Sequence, residues 1–308
     1  MKYNNIASAT FFLSLICAFF LQITSCKTVN GDYHIKLVLA SDDTQNLTLE
    51  ESQSILTILQ DRLQTYGYYS HNFSLQASGN QLLVEVHNAD DPVRLKRLLA
   101  TRAKLDFAAV HNIKNRLSRI KGLYQGLLQK VDDAVLSDAF GAVAAADTAK
   151  LSRYLNHPSI AALYPKGTRF VLSAKPISNT NNYLVYALDY HNNDLILNAN
   201  YWLKGTYSFI PNEATQEAVV VVEISEERRA QWQKFVRRKK GLGLAFMLDG
   251  RVYSTTSLDS EALYKGNLTL SGDFTKESGQ DLVDILEHEP LPCQLLIVDE
   301  HITKIKRE

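Results

Sequence analysis

Apolar and polar residues alternate along the first part of the chain in a pattern that predicts a strand followed by a long helix. Ile35, Leu37 and Leu39 recur at every second position, as expected for a strand with one buried face. Thr48 and Glu51 have the spacing of a capping box, and apolar residues at helical spacing follow them. The chain therefore opens with two elements of a mixed α+β fold.

The elements that follow complete one unit over residues 26–110. Gly67 comes directly after the helix and is typical of the residue that ends one. A hairpin follows, and then a second helix with Pro92 at its first position. A last strand contains Leu105 and Phe107 on one face. The order strand, helix, strand, strand, helix, strand is that of a ferredoxin-like unit.

Residues 218–308 repeat this order of elements. The dipeptide Asp249-Gly250 between two apolar strands is a strong signal for a two-residue hairpin turn with positive φ at both positions. Thr275 is suited to begin a second helix, and Pro292 lies beyond the end of that helix. A closing strand follows. The sequence therefore predicts an α+β fold of two ferredoxin-like βαββαβ lobes.

The intervening residues 111–217 predict a helical insertion followed by short strands. Residues 139–151 are rich in alanine and contain neither proline nor a glycine after Gly141, which favours a helix. Asn-rich segments at residues 179–182 and 192–193 are typical of turns between short strands. We expect this insertion to separate the two lobes.

The first 25 residues predict a lipoprotein signal peptide. Lys2 is their only charged residue, and residues 11–21 form an almost unbroken apolar run that is too short to span a bilayer. Ile-Thr-Ser-Cys at residues 23–26 resembles a bacterial lipobox, in which Cys26 would carry the lipid. A plain secretory signal with a chance cysteine is the alternative. We expect the acyl chains, rather than a helix, to hold the protein at a membrane.

Charge and cysteine content narrow the choice of function. The sequence has 33 basic and 33 acidic residues, so it offers no long-range field for nucleic acid or anionic lipid. Of its three cysteines, Cys17 leaves with the signal peptide and Cys26 is used by the lipid. Cys293 is left alone in an apolar strand pattern, which favours a small buried side chain over the alternative of a reactive thiol.

The sequence has no pattern that indicates catalysis or a metal site. It lacks a Gly-x-Ser-x-Gly elbow and a glycine-rich phosphate loop. Its eight histidines are scattered. Glu287, His288 and Glu289 are the densest group of possible ligands, but adjacent residues on a helix point apart and cannot converge on one ion. We therefore expect no enzyme activity, no cofactor and no metal.

Two surface clusters are candidates for partner contact. Arg237 and Arg238 belong to a basic run at the end of a predicted helix, where cations offset the negative end of the helix dipole. Contact with lipid headgroups or an acidic partner is the alternative for these arginines. Tyr66, Tyr68 and Tyr69 form an aromatic cluster, for which packing at the core and its rim is the first interpretation and a peptide-binding platform the second.

Two blocks of sequence resemble a known family. Residues 244–254 read Leu-Ala-Phe-Met-Leu-Asp-Gly-Arg-Val-Tyr-Ser, residues 264–275 read Tyr-Lys-Gly-Asn-Leu-Thr-Leu-Ser-Gly-Asp-Phe-Thr, and an earlier block ends in Ala-Lys-Leu-Asp-Phe at residues 103–107. In their order and spacing they resemble the first periplasmic domain of SecD, the accessory membrane subunit of the bacterial Sec translocase. The resemblance extends over about residues 32–299. The matching positions have mainly structural roles, and they are Gly67, Leu105, Phe107, Asp249, Gly250, Gly266, Gly272, Phe274, Thr275, Leu291 and Pro292.

The resemblance implies a non-catalytic protein of the cell envelope that faces the periplasm. It would bind a protein or unfolded peptide, with Sec translocon subunits as candidate partners, and would be accessory to Sec-dependent translocation. The sequence departs from the family pattern, because the glycine-rich opening and the membrane helices are missing. We therefore do not expect proton-driven pulling by this chain. The alternative is an envelope lipoprotein that kept the fold and binds a partner unrelated to secretion.

Overall fold

The computed structural model describes most of the chain after the predicted signal peptide. The described residues are 31–42, 47–75, 81–111, 126–129, 131, 138–190, 203, 207–211 and 218–305. Cys26, the expected lipidation site, and the predicted turn at 192–193 lie outside these ranges. Among the described residues, no helix has the length and apolar content needed to cross a membrane.

The described elements are seven α-helices, one short 3-10 helix at Ala145–Asp147 and thirteen strands. The helices are α1 (Leu49–Thr65), α2 (Pro92–Ala100), α3 (Thr148–Leu155), α4 (Pro158–Ala161), α5 (Glu226–Arg238), α6 (Glu261–Tyr264) and α7 (Lys276–Glu287). The strands are β1 (Tyr33–Ser41), β2 (His71–Leu75), β3 (Gln81–Ala89), β4 (Leu105–Val110), β5 (Gly141–Ala144), β6 (Thr168–Pro176), β7 (Asn182–Asp189), β8 (Tyr207–Pro211), β9 (Ala218–Glu223), β10 (Gly243–Leu248), β11 (Arg251–Ser257), β12 (Asn267–Phe274) and β13 (Leu295–Lys304).

The first sheet is antiparallel and has the strand order β13-β1-β3-β2. Ile35, Leu37 and Leu39 point from β1 into a core that α1 and α2 cover, as the alternation predicts. The order is that of a ferredoxin-like unit in which the fourth position is held by the last strand of the chain.

The structure corrects the predicted membership of two strands. The strand through Leu105 and Phe107 does not close the first sheet but pairs with β10 in a second sheet. The closing strand predicted for the second lobe is β13, which pairs instead with β1. The physical reason is burial, since all six residues of β4 are buried. A strand at the edge of the first sheet would have one face buried, whereas the position of β4 in the second sheet buries both of its faces.

The second lobe is also not a single ferredoxin-like sheet. Six strands pair in the order β4-β10-β11-β6-β7-β5, and single contacts of β4 with β7 and of β11 with β6 close part of this sheet on itself. Strands β12, β9 and β8 form a separate third sheet. Phe107 and Phe246 of the second sheet pack with Trp232 of α5 and Val222 of β9 in one core. The fold is therefore α+β as predicted, but its strands are distributed among three sheets rather than two ferredoxin-like sheets.

The alanine-rich segment is a second correction. Residues 141–144 form strand β5 on β7, and the helix begins only at Thr148. A side chain in place of Gly141 would stand 1.8 Å from a side-chain atom of Leu128, so the backbone here is closely covered. Close packing and strand pairing override the helical propensity of alanine.

Several local predictions are confirmed. Thr48 makes the expected capping box, and Thr275 caps α7 as predicted. Gly67 ends α1 with φ +82°. Asp249 and Gly250 have φ of +52° and +73°, as a two-residue turn of this type requires. These local signals were correct even where the larger sheets differ from the prediction.

Candidate functional site

The β10–β11 turn is held by the loop between α2 and β4, and we call this contact the junction (Arg62, residues 101–104, Asp249 and residues 291–292). The Asp249 carboxylate accepts hydrogen bonds from the backbone N–H groups of Arg102, Ala103 and Lys104 at 3.1, 3.4 and 2.9 Å. Its own N–H donates to the Lys104 carbonyl at 3.0 Å. Ala103 has φ +69°, which turns the loop around the carboxylate.

Arg62 supports the same loop from the opposite side. It is fully buried on α1 and donates to the carbonyls of Leu98 at 3.1 Å, Thr101 at 2.5 Å and Arg102 at 3.3 Å. These carbonyls belong to the end of α2 and the residues after it, where the helix itself supplies no donors. One guanidinium therefore caps α2 and fixes the start of the loop that holds Asp249.

The segment before β13 also ends at the junction. The Arg102 side chain donates to the carbonyls of Leu291, at 2.9 Å, and Pro292. The Leu291 N–H donates back to the Arg102 carbonyl at 2.8 Å. Asp249 and the adjacent residues Leu291 and Pro292, which lie in distant parts of the sequence, thus contact one loop.

Burial sets the electrostatics of the junction. It lowers the pKa of Arg62 to about 10, against the opposing effect of the nearby Asp249 charge, so the guanidinium is charged at neutral pH. Burial also raises the pKa of Asp249, and the three backbone donors and Arg62 oppose that rise. The junction contains two opposite charges, Arg62 and Asp249, each hydrogen-bonded to backbone groups. Among the described residues it has no arrangement of nucleophile, base and orienting group.

A cleft of about 240 Å³ opens beside the junction. Leu151 and Leu155 of α3 form one wall, and Phe170 and Leu172 of β6 form the other. Gly250, the residue after Asp249, lies at its rim. The rest of the lining is mixed, with Thr148, Ser152, Asn156 and Arg251 beside the apolar walls, so the cleft offers both apolar contact and polar groups.

The three tyrosines of the sequence-predicted cluster do not share one surface. Tyr66 and Tyr68 are buried, and their hydroxyls donate to the Asp281 carbonyl at 2.8 Å and to Asp90 Oδ1 at 2.6 Å. Burial raises the pKa of both hydroxyls. Tyr69 is 47% exposed. Two of the three rings are therefore core residues, and only Tyr69 has a ring that a partner could reach.

Asp281 of α7 is a buried charge that the sequence pattern did not reveal. Its side chain is 2% exposed and accepts from Arg94 Nε at 2.9 Å and from Arg97. Arg94 also lies over the Tyr66 ring, 4.7 Å from its centroid. This group attaches α7 to α2, next to the junction.

The remaining predicted residues have structural settings. Arg237 and Arg238 lie exposed at the end of α5, where Arg237 stacks on Tyr264 at 5.6 Å and donates to the Gln233 carbonyl at 3.4 Å. Gly266 has φ +95° and lies against Ile224, Phe274 is buried, and Gly272 lies within β12.

Cys293 and His288 also have structural surroundings. Cys293 is buried in the core of the first sheet. The ring nitrogens of His288 lie 2.6 Å from the Asp284 carbonyl and 3.1 Å from the Thr65 hydroxyl. Its neighbours Glu287 and Glu289 are not among these partners.

No family model matches the chain. It is 24% identical over 286 residues to the protein translocase subunit SecD of Rhodothermus marinus, and 21% identical over 263 residues to that of Borreliella burgdorferi. These alignments cover 80% and 84% of this chain but 45% and 41% of the relatives, so the chain spans less than half their length. A crystal structure of SecDF in a super-membrane-facing form matches 96% of this chain and 34% of its own chain, with a TM-score of 0.50 and 17% identity.

The chain is homologous to part of SecD, and its mixed α+β fold resembles part of SecDF. The predicted relationship to SecD is thus confirmed.

Proposed function

We propose that this chain is a non-catalytic lipoprotein of the cell envelope that binds a protein or unfolded peptide during Sec-dependent translocation. The observation that supports this most directly is the cleft between the apolar walls of α3 and β6, which opens beside the junction. An extended segment of an exported chain could place apolar side chains in it. At about 240 Å³ the cleft is smaller than typical ligand pockets of about 300–1,000 Å³, so it suits part of a peptide better than a large cofactor.

Charge supports the same proposal. The sequence carries no net charge, so attraction over long distances contributes little to binding. Binding should depend on apolar contact, and it should change little between low and high salt. The homology to a translocase subunit supports an unfolded exported protein, or a translocon subunit, as the partner.

Site-specific crosslinking in cells tests the partner. A photoreactive amino acid at Ser152, which lines the cleft, is compared with the same group at Ser159, an exposed residue of α4 outside it. We expect crosslinks to translocon subunits or exported chains from position 152 and few from position 159. Recovery of unrelated envelope proteins alone from position 152 would favour the alternative function. Equal crosslinking from both positions would contradict binding in the cleft.

The lipid anchor is tested separately. Cys26→Ser should abolish labelling by fatty acid and release the protein from membranes, because no other acylated residue is proposed. Cys17→Ser, which changes a cysteine within the predicted signal peptide, is the matched control and should leave fractionation unchanged. A Cys26→Ser protein that stays on membranes as firmly as the parent would refute lipid anchoring.

A further inference from the structure

Two histidines and a glutamate converge on the first sheet. His34 lies on β1, and Glu85 and His87 lie two residues apart on β3, so both β3 side chains point to the same face. The antiparallel register pairs Lys36 with Glu85 and Ile35 with Val86, which brings His34 beside His87. No sequence motif contains this group, because β1 and β3 are far apart along the chain.

The geometry of the group is compact. The His34 and His87 rings stack with centroids 4.3 Å apart and planes 18° apart. One ligand atom from each of His34, Glu85 and His87 lies within 4.8 Å of the others. Among the described residues, this is the group of histidine, cysteine and acidic side chains that meets that limit.

A polar atom within the group also lacks a partner. Nε2 of His34 is buried and makes no hydrogen bond. A buried nitrogen without a partner is costly for a protein, whereas a metal ion would satisfy it. This is independent of the spacing of the three residues, and it indicates a ligand at this position.

We propose that His34, Glu85 and His87 form a site for a divalent transition-metal ion of the zinc class. Two imidazoles and one carboxylate are a common ligand set for Zn²⁺, with bonds of about 2.0–2.2 Å and a fourth position open to water or another ligand. Ligand atoms on such an ion stand about 3.3 Å apart, so binding would require the two stacked rings to rotate until their nitrogens converge on the ion. The site joins β1 to β3, and it does not rest on the proposed function.

Lys36 provides a sensitive test of this site. Its ammonium lies 3.0 Å from the Glu85 carboxylate. The ammonium and a metal ion would therefore compete for this carboxylate. The pair is weak because its side chains are 47% and 28% exposed, so an ion could displace the lysine. Removing the lysine should therefore tighten metal binding, an effect that a histidine pair with a purely structural role would not show.

Calorimetric titration of Zn²⁺ into the purified, chelator-treated full chain tests the proposal. His34→Gln, His87→Gln and Glu85→Gln should each weaken binding at least about tenfold. His157→Gln, which changes an exposed histidine outside the group, should not. Lys36→Met should tighten binding severalfold, and thermal melting of each variant checks that it folds.

Two results would overturn the site. One is the absence of saturable Zn²⁺ binding by the parent chain. The other is binding that persists unchanged when either histidine or Glu85 is replaced, which would place the ion on other residues. Glu85 is half-buried on the sheet surface, so its substitution keeps the test valid even if a histidine variant fails to fold. Neither result depends on whether the chain binds an exported protein.

Discussion

Replacing Arg62 by methionine should destabilise the protein more than any surface substitution. Arg62 is fully buried and donates to three carbonyls of residues 98–102. Methionine fills a similar volume but donates no hydrogen bond, so the carbonyls at the end of α2 lose their partner. The nearby Asp249 carboxylate also loses the positive charge that faces it.

The expected magnitude follows from these contacts. Each buried carbonyl that loses its donor costs about 1–3 kcal/mol, and water can reach those of Thr101 and Arg102 in part. The loss of the positive charge near Asp249 adds to this cost, because that charge opposes the burial penalty on the carboxylate. We therefore expect Arg62→Met to lower the free energy of unfolding by about 3–5 kcal/mol. At about 2–4 °C per kcal/mol, the melting temperature should fall by about 6–20 °C.

Urea unfolding and thermal melting measure this effect directly. Arg153→Met, which changes an exposed arginine in the last turn of α3, is the matched control and should stay within about 0.5 kcal/mol of the parent. Arg62→Lys should fall between the two, because it keeps the charge but not the planar fork of donors. An Arg62→Met protein as stable as the control would refute the view that this guanidinium fixes the junction.

Three further substitutions test the surroundings of Arg62. Asp249→Asn should lower the free energy of unfolding in urea by about 1–3 kcal/mol, because the new NH2 group would face backbone N–H groups and could not accept their hydrogen bonds. An unchanged midpoint would contradict this. Gly250→Val should lower the melting temperature, because a β-branched residue is strained at φ +73°. No atom lies within 4 Å of the added carbon, so a steric clash would not explain the loss. Gly250→Asn should melt at a higher temperature than Gly250→Val, because asparagine tolerates positive φ; equal melting of both variants would argue against strain. Asp281→Asn should lower the free energy of unfolding by about 3 kcal/mol, because Arg94 and Arg97 lose their buried carboxylate partner. A loss no larger than that of an exposed aspartate replaced in the same way would contradict a role for Asp281 in attaching α7 to α2.

Local features of this fold were readable from the sequence because they depend on neighbouring residues. The capping box at Thr48, the glycine stop at Gly67 and the turn at Asp249 and Gly250 are each fixed by a few adjacent positions. The homology to SecD followed from the same kind of local block. These signals identify elements and their order along the chain.

Sheet membership could not be read in the same way. Leu105 and Phe107 alternate equally well at the edge of the first sheet or in the second, and alternation specifies a face rather than a partner. The choice depends on Ala108 and Val110, which are buried on the opposite face against Met247 and its neighbours. Only the assembled core reveals that both faces of β4 are covered.

Arg62 shows where a closer reading of the sequence could have found part of the junction. Buried positions on α1 recur at Ile55, Leu59 and Leu63, and Arg62 lies on the same apolar stripe rather than opposite it. A charged residue at a core position of a helix must meet several acceptors, because its burial is otherwise too costly. The pattern therefore signals a buried polar contact, but not the loop that accepts it. The loop precedes β4, which pairs with β10 in the second sheet, while β13 pairs with β1 in the first. The partners of Arg62 can therefore be identified only from the assembled sheets.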